Sequence, residues 1–215
     1  MITTMRSEPI LTLAQWLSPA YPVGSFAYSH GLEWAVESGQ VTDSKTLHTW
    51  LEAALQHGAG MADARILAAA YRAIDPTPID ATARAFSASA ERLKETVLQG
   101  AAFVRATADI WQTKLPDLTY PVAVGHAARR HELPLELTVK MYLQAFMSNL
   151  AAAGMRLIPL GQTEGQRVIK ALMPLCIEIA DTALEGTLDD LSTTAFMSDI
   201  AAMKHETQYS RIFRT

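Results

Sequence analysis

Residues 91–111 read ERLKETVLQGAAFVRATADIW, and this stretch predicts one long helix. Its apolar residues recur at steps of three and four, which places them along one side of a helix. The stripe consists of Leu93, Val97, Ala101, Val104, Ala108 and Trp111. The alternation of apolar and polar residues that is typical of a half-buried strand does not recur along the chain.

The same helical period returns on both sides of this stretch. One stripe follows Pro134 and comprises Val139, Leu143, Phe146, Leu150, Ala153 and Leu157; another comprises Ile169, Leu172, Cys176, Ile179 and Ala183. Shorter helices are predicted over residues 28–38, 44–57, 61–74, 121–131 and 193–206, with breaks at Gly39 and over residues 58–60, 75–78 and 114–117. The predicted fold class is an all-α, single-domain multi-helix bundle without a β-sheet. Residues 1–215 form the domain, and segments 1–8 and 207–215 are expected to be flexible in the free protein.

Composition limits the function classes. The chain has 215 residues, of which 49% are hydrophobic and 19% charged, with a formal net charge of −4. That charge provides no broad attraction for nucleic acid or anionic lipid. The uncharged stretch 9–32 contains prolines, glycine and polar residues that make a membrane-spanning helix implausible, and no export signal is evident, so a cytoplasmic protein is expected. The single cysteine, Cys176, excludes an internal disulfide and is expected to be a buried, inert thiol.

Candidate catalytic and metal sites are weak. Ala27-Tyr28-Ser29-His30-Gly31 is similar to the elbow of serine hydrolases, but no strand precedes it and the more ordinary interpretation of Ser29 is a helix-start hydroxyl. Residues 161–166, GQTEGQ, lack the Gly-Lys-Ser/Thr ending of a phosphate loop, and Thr163 is expected to cap a helix there. The histidines are His30, His48, His57, His126, His131 and His205; none has the spacing that puts two rings on one helical face, so no metal site is predicted.

Two segments have the composition of protein interfaces. Residues 18–36 read SPAYPVGSFAYSHGLEWAV and crowd aromatics into a proline-glycine loop, and residues 205–215 read HETQYSRIFRT and alternate apolar groups with arginines. Tyr, Phe and Arg supply much of the binding energy at protein interfaces. An interaction protein is therefore the natural inference, although packed aromatics under a turn and a frayed chain end remain ordinary alternatives.

Three stretches together resemble the UreF family of urease accessory proteins. They are LAQWLSPAYPVGSFAYSHGLEWAVESGQV at 13–41, LAAAGMRLIPLGQTEGQRVI at 150–169 and HETQYSRIFRT at 205–215. The resemblance spans essentially the whole chain, and the two end motifs are its most specific parts. It implies an all-helical domain that pairs with itself as a homodimer.

The resemblance also implies a function. A UreF-type protein is a non-catalytic scaffold, or chaperone, in the nickel-dependent maturation of urease. It binds a UreD/UreH-type partner, and the complex recruits or modulates a UreG-type GTPase so that nickel is delivered to apo-urease. Nickel and GTP would be handled by the partners, and no cofactor is expected on this chain alone. The alternatives are a generic helical adaptor and, less favoured, a serine hydrolase that uses Ser29.

Residues are carried over from the family by motif. The partner-binding or dimer-forming candidates are Tyr209, Ser210, Arg211 and Phe213 in the tail, and Pro22, Gly24, Ser25, Phe26 and Tyr28 in the loop, which is expected to order against the tail or lie beside the same interface. A GTPase-facing patch is hypothesised from Arg156, Gln162, Thr163, Gly165 and Gln166. Arg211 is expected to be a charge-assisted contact for which Lys is a poor substitute. Gly31 is expected to allow close helix approach.

Overall fold

Residues 7–215 are described by the computed structural model, and the regular structure in them is helical. In chain order the helices are α1 (Ser7–Trp16), α2 (Leu32–Glu37), α3 (Ser44–Gln56), α4 (Ala59–Arg72), α5 (Thr77–Ala85), α6 (Ala90–Trp111), α7 (Tyr120–Arg130), α8 (Leu135–Leu157), α9 (Gln162–Glu185) and α10 (Phe196–His205). Short 3₁₀ turns occur at Ser25–Ala27 and Leu188–Asp190. No strand occurs in residues 7–215, so the all-α, single-domain prediction is confirmed. No helix in this range is both long and apolar enough to cross a bilayer.

The three long predicted helices are confirmed as α6, α8 and α9. All five stripe residues of α9 are buried, and most of the α8 stripe is buried as well. In α6 the buried side is different from the predicted stripe, because Glu95, Thr96 and Gln99 are buried whereas Leu93 is exposed. Burial of this polar side is possible because its side chains bond one another and the loop that precedes α2.

Several predicted boundaries were wrong. The helix predicted over 28–38 begins only at Leu32, because His30 and Gly31 have left-handed backbone conformations with φ of 55° and 77°. The break predicted at 58–60 is shorter, since α4 begins at Ala59. The helix predicted over 193–206 begins at Phe196, because the amides of the two preceding residues bond the carbonyl of His57 instead.

Two helices were not predicted from the sequence. The break predicted at 75–78 is the start of α5, in which Pro78 occupies the first turn. A proline there loses no hydrogen bond, because the first amides of a helix have no partner within the helix. The other missed helix is α1, whose apolar stretch was too short to show a clear period. The prediction that segment 1–8 is flexible falls mostly on residues outside those that the structure describes.

Helix α7 lies at the centre of the bundle. Eight consecutive residues, from Pro121 to Ala128, are buried, and the helix packs between α4 and α6. Gly125 permits the contact with α4, since a Cβ at this position would lie 2.3 Å from the carbonyl oxygen of Leu67. On the other side of α4, α8 and α9 pack against each other and against α3.

Aromatic packing attaches α1 to α6. The Trp16 ring makes edge contacts with Phe103 and Trp111, at centroid separations of 5.3 and 5.5 Å. Edge-to-face packing favours such pairs beyond the apolar area that they bury. Tyr21, in the loop after α1, joins the same cluster and hydrogen-bonds Thr107 at 2.9 Å. Trp16 and Tyr21 therefore hold the start of the loop against α6.

The single thiol lies in the interior, as the sequence predicted. Cys176 is buried on the inner face of α9, and burial raises its pKa to about 11. A thiol with so high a pKa is almost entirely protonated near neutral pH and is a poor nucleophile.

Candidate interaction site

The loop between α1 and α2 has a conformation that its glycines determine. Gly24 has φ of 72° and starts the 3₁₀ turn at Ser25–Ala27, and Gly31 precedes α2 with φ of 77°. Asn149 of α8 donates to the Ser25 carbonyl at 2.7 Å. Of the predicted loop residues, Pro22 and Phe26 are exposed, Gly24 and Ser25 are half-buried, and Tyr28 is buried.

The C-terminal tail lies against this loop, as the sequence analysis expected of the two segments. The Arg214 amide donates to the Ala27 carbonyl at 2.8 Å, and the Ser29 amide donates to the main-chain oxygen of Thr215 at 2.8 Å. Phe213 and Thr215 are buried, whereas Tyr209, Ser210 and Arg211 are exposed. The mobility predicted for 207–215 in the free protein stays a prediction; here the segment is docked.

Glu33 receives the tail backbone. Its Oε1 accepts from the Ile212 amide at 2.7 Å, and its Oε2 accepts from the Phe213 amide at 2.9 Å. Glu33 is only 5% exposed and lies in the first turn of α2, where the helix dipole favours a negative charge. Hydrogen bonds to an ionised acceptor are roughly twice as strong as neutral ones, so this residue is a major contact of the docked tail.

His205 links Glu33 to α6. Its ring is fully buried at the end of α10, with Nε2 3.1 Å from Glu33 Oε2 and Nδ1 2.7 Å from Glu91 Oε2. The other oxygen of Glu91 accepts from Arg211 Nη1 at 2.7 Å. Arg211 thus makes a charge-assisted bond within its own chain, and its expected contact with a partner stays a prediction. Residues from α2, α6, α10 and the tail meet in this network.

A second cluster of buried polar groups lies deeper, on the neighbouring turn of α6. Glu95 bonds His30 Nε2 at 2.9 Å, Arg92 at 2.5 Å and Gln99 at 2.9 Å. The tail reaches this cluster as well, because the Thr215 hydroxyl donates to Glu95 Oε2 at 3.0 Å.

The electrostatics of this cluster are set by competition between burial and charge pairing. Burial by itself would raise the pKa of Glu95, but the charge of Arg92, followed by that of His30, lowers it to about 2. Asp63, which accepts from the Tyr142 hydroxyl at 2.9 Å, has its pKa raised by burial. Glu95 is therefore the carboxylate whose ionised form is favoured by Arg92, its nearest charge partner.

A cavity of about 380 Å³ opens beside this cluster, between the loop and helices α6 to α8. Phe26, Phe146 and Tyr120 contribute apolar wall, and His30 and Glu95 contribute charged or titratable groups. Arg156 lies at the same cavity. The loop therefore contacts the tail and also borders a cavity that contains the polar groups of His30 and Glu95.

The hypothesised GTPase-facing patch is divided between different environments. Arg156 Nη2 donates to the Phe26 carbonyl at 2.7 Å, and its guanidinium lies 4.3 Å from the centroid of the Phe213 ring. Gln162, Thr163 and Gln166 are exposed at the start of α9, whereas Gly165 is buried against Met155. The expected capping role of Thr163 was wrong, because Gly161 occupies the N-cap position without a side-chain bond.

Exposed apolar side chains occur on the outer face of α10 and on the tail. Four exposed apolar side chains recur along this helix at positions 196, 197, 200 and 203, namely Phe196, Met197, Ile200 and Met203. Beyond the helix, the tail adds Tyr209, at 105% relative exposure, and Ile212, at 75%. Large apolar side chains that are exposed on one face of a helix are a feature of protein contact sites.

Ser29 has the geometry of a structural hydroxyl. It is fully buried, its Oγ donates to the Thr215 main-chain oxygen at 2.6 Å, and it accepts from the Glu33 amide at 3.3 Å. The latter bond is the helix-start role that the sequence favoured. The geometry gives no support to Ser29 as an accessible nucleophile.

The charged residues that hold the site together were not predicted from the sequence. These are Glu33, Glu91, Arg92, Glu95 and His205. Glu91 and Glu95 are four residues apart on α6, a spacing that is equally typical of a solvated helix face. A usable signal was the recurrence of charged residues within the two end motifs, Glu33 in SHGLE and His205 in HETQYSR. Their proximity could not be seen along the chain.

The described part of the chain contains no group of three or more His, Cys, Asp or Glu side chains placed to hold a metal ion. The fold and the site together describe an all-helical protein whose N-terminal loop and C-terminal tail form one shared site. A family comparison agrees with this class: the UreF family model matches residues 41–173.

Whole-chain relatives extend the match to both ends. A protein of Ruegeria pomeroyi, named urease accessory protein UreF, is 58% identical over all of both chains. A protein of Roseobacter denitrificans with the same name is 54% identical over 98% of this chain and 96% of its own. A third, from a Ruegeria species, is 61% identical over 98% of this chain and all of its own. The chain belongs to the UreF family of urease accessory proteins.

Proposed function

We propose that this protein is a non-catalytic scaffold in the nickel-dependent maturation of urease. It binds a UreD/UreH-type partner and, in that complex, recruits or modulates a UreG-type GTPase that delivers nickel to apo-urease. Nickel and GTP are handled by the partners in this proposal. Family membership supports the role in urease maturation, and the loop, the tail and α10 are the surface that we assign to the UreD/UreH-type partner.

One observation supports this assignment most strongly. The tail is held to the body by its backbone, by Phe213 and by Thr215, while the side chains of Tyr209 and Ile212 face outward. A docked segment with outward apolar side chains presents a partner with an ordered surface, which lowers the entropy cost of binding. Buried Tyr28 and Phe213 would support that surface from beneath, and exposed Phe26 lies at the edge of the loop.

The direct test is co-purification with a UreD/UreH-type protein and a UreG-type GTPase. A chain that ends at Thr207 is expected to lose the complex. Because this truncation also removes the bonds that Thr215 and the tail amides make to buried carboxylates, a gentler variant is needed. The double substitution Tyr209→Ala and Ile212→Ala keeps the backbone contacts and removes only outward surface.

The control for that variant is Ile74→Ala, which removes an apolar side chain that is 88% exposed and far from the tail in sequence. The control is expected to bind normally. Equal binding by the intact chain, the double variant and the control would overturn the tail assignment. Failure of the intact chain to bind either partner would favour the alternative hypothesis that the protein is a generic helical adaptor.

The GTPase-facing patch needs a different experiment. Arg156→Ala would disturb the tail through Phe213 and the loop through the Phe26 carbonyl, so a loss of activity would not identify a contact with the GTPase. Exposed Gln162 and Gln166 are better probes. If they face the GTPase, their replacement by Ala is expected to change GTP hydrolysis by the assembled complex while UreD/UreH-type binding stays intact. An unchanged rate in both variants would remove α9 from the proposal.

A further inference from the structure

We propose that Glu33 and His205 are positioning residues of the C-terminal tail. Glu33 receives the tail backbone, and a His205 ring that carries both of its protons holds Glu33 in place against Glu91. The network fixes the direction in which Tyr209 and Ile212 face. This inference deepens the proposed function, and its part about partner binding rests on that function.

Glu33 is placed to accept hydrogen bonds from two consecutive tail amides. Each of its two oxygens accepts from a different amide, those of Ile212 and Phe213, at 2.7 and 2.9 Å. Successive amides in an extended chain normally point in opposite directions, so one carboxylate that binds both requires a local bend. Loss of the carboxylate would leave both amides without this partner and would release the bend.

The chemistry of His205 follows from its two neighbours. An ionised carboxylate can only accept hydrogen bonds, and His205 has one on each ring nitrogen, at 2.7 Å (Glu91) and 3.1 Å (Glu33). Both contacts are hydrogen bonds only when both nitrogens carry protons. A neutral ring would direct a lone pair at a carboxylate within a fully buried site.

The charge balance supports the doubly protonated ring. The charged groups around it are Glu33 from α2, Glu91 from α6 and Arg211 from the tail, which bonds both Glu91 and the His205 carbonyl. With an imidazolium, two negative and two positive charges cancel, as buried charges require. Glu206, the next residue in the chain, instead accepts from the Ala90 amide at the start of α6.

A consequence is that the His205 ring and the docked tail are coupled. The coupling passes from His205 through Glu33 to the amides of Ile212 and Phe213. It therefore predicts that a change of the His205 side chain alters the protection of two amides that bond Glu33.

The first test measures hydrogen exchange of the tail amides in the full-length protein without partners. Glu33→Gln is expected to speed exchange at Ile212 and Phe213 by about tenfold or more, the factor associated with losing a charge-assisted bond. The matched control is Glu37→Gln, one turn later on α2, where the exposed carboxylate bonds only a tail side chain, that of Gln208. Wild-type exchange rates at both amides in Glu33→Gln would overturn the proposal.

The second test replaces His205 and uses the same measurement. His205→Gln has no second ring donor for Glu91 and Glu33, and it is expected to speed exchange at Ile212 and Phe213 by about tenfold, the factor associated with losing a charge-assisted bond. Exchange of the core amides of α8 in the same sample shows whether the variant remains folded. Wild-type exchange at both tail amides in a folded His205→Gln would refute the role of the ring.

Partner binding separates this inference from the proposed function. Glu33→Gln is expected to bind the UreD/UreH-type protein more weakly than Glu37→Gln does. If the tail of Glu33→Gln is released but the variant still binds the UreD/UreH-type protein as well as Glu37→Gln does, the positioning role has no part in assembly. The proposed scaffold function would then be unaffected. If the wild-type chain fails to bind while the exchange results hold, the proposed function fails and the tail network stands.

Discussion

Gly31 connects the loop motif to α10 at the scale of a single residue. A Cβ at this position would lie 2.5 Å from the Ala202 amide nitrogen and 2.7 Å from the Ala201 carbonyl carbon. Both neighbours are backbone atoms, which cannot move as a flexible side chain could. The expected role of Gly31 in close helix approach is thus confirmed by the geometry.

We expect Gly31→Ala to destabilise the protein more than Gly39→Ala does. Both glycines have φ of 77°, so each substitution pays about 1–2 kcal/mol for a left-handed alanine. Only Gly31 adds a backbone clash, which typically costs a further 1–3 kcal/mol; nothing lies within 4 Å of a Cβ at Gly39. Urea unfolding measures the difference in the free energy of unfolding. Equal losses of this free energy in the two variants would show that α10 is not held tightly against α2.

Glu95 provides a prediction about acid stability. Its pKa is about 2 when folded against an ordinary value of 4.5, so its contribution is present above about pH 4.5 and is lost as the pH falls towards 2. Glu95→Gln is expected to flatten this part of the pH dependence of the melting temperature. It should also cost about 3–5 kcal/mol at neutral pH, because Arg92 loses its closest charge partner.

The control for Glu95→Gln is Glu136→Gln. Glu136 is exposed on α8 and pairs with Lys140 one turn away, and such surface pairs contribute at most about 1 kcal/mol. If both substitutions reduce stability equally, or if the acid dependence is unchanged in Glu95→Gln, the charge pairing assigned to the inner cluster is incorrect.

At the scale of elements, α10 is amphipathic in an unusual sense: its inner face carries Ala201, Ala202 and His205, and its outer face carries large apolar side chains. Ile200→Glu is expected to weaken binding to the UreD/UreH-type partner by about tenfold or more, because it would place an unpaired charge in an apolar contact. The side chain is 43% exposed, so the free energy of unfolding should change little.

Ile177→Glu on α9 is the matched control, since Ile177 is similarly exposed on another helix. Binding measured by titration calorimetry should separate the two variants. Similar losses in both would mean that the charge acts through general solubility or folding and that α10 has no special role.

The elements also show what the sequence could and could not predict. Periodicity located α8 and α9 and their buried faces, because those faces are apolar. It located α6 but predicted the wrong buried face, since Glu95 and Gln99 are buried through partners that come from distant parts of the chain. Thr77 and Pro78 were interpreted as a break between helices. A proline can mark either the end of one helix or the first turn of the next, and the local sequence does not distinguish the two cases.

The candidate site was predictable only in outline. The two end motifs identified its segments, and aromatic and arginine content indicated a contact surface. Which residues face inward was not predictable: Phe213 is covered by Arg156, whereas Ile212, its neighbour, is exposed. That choice depends on the amides that Glu33 binds, which is a property of the folded arrangement.

On the scale of the whole molecule, exposed apolar side chains occur on several helices, and the notable ones outside the tail surface include Leu98, Ile110, Met173 and Ile177. A chain with so much apolar surface on separate faces is expected to self-associate as a homodimer. Sedimentation equilibrium should give a mass of twice 23.5 kDa at micromolar concentration. A mass of 23.5 kDa at every concentration would contradict the prediction.

The buried thiol in α9 makes the protein convenient for site-specific labelling. Cys176 is the only cysteine in the chain, and it is both inaccessible and protonated. A maleimide dye should therefore not react with it in the native state, and Ser210→Cys would give one reactive thiol on the tail without the need to remove Cys176. Slow labelling of Cys176 itself would then time the opening of the helical interior, so that a single chain could report the motion of its tail and the unfolding of its core separately.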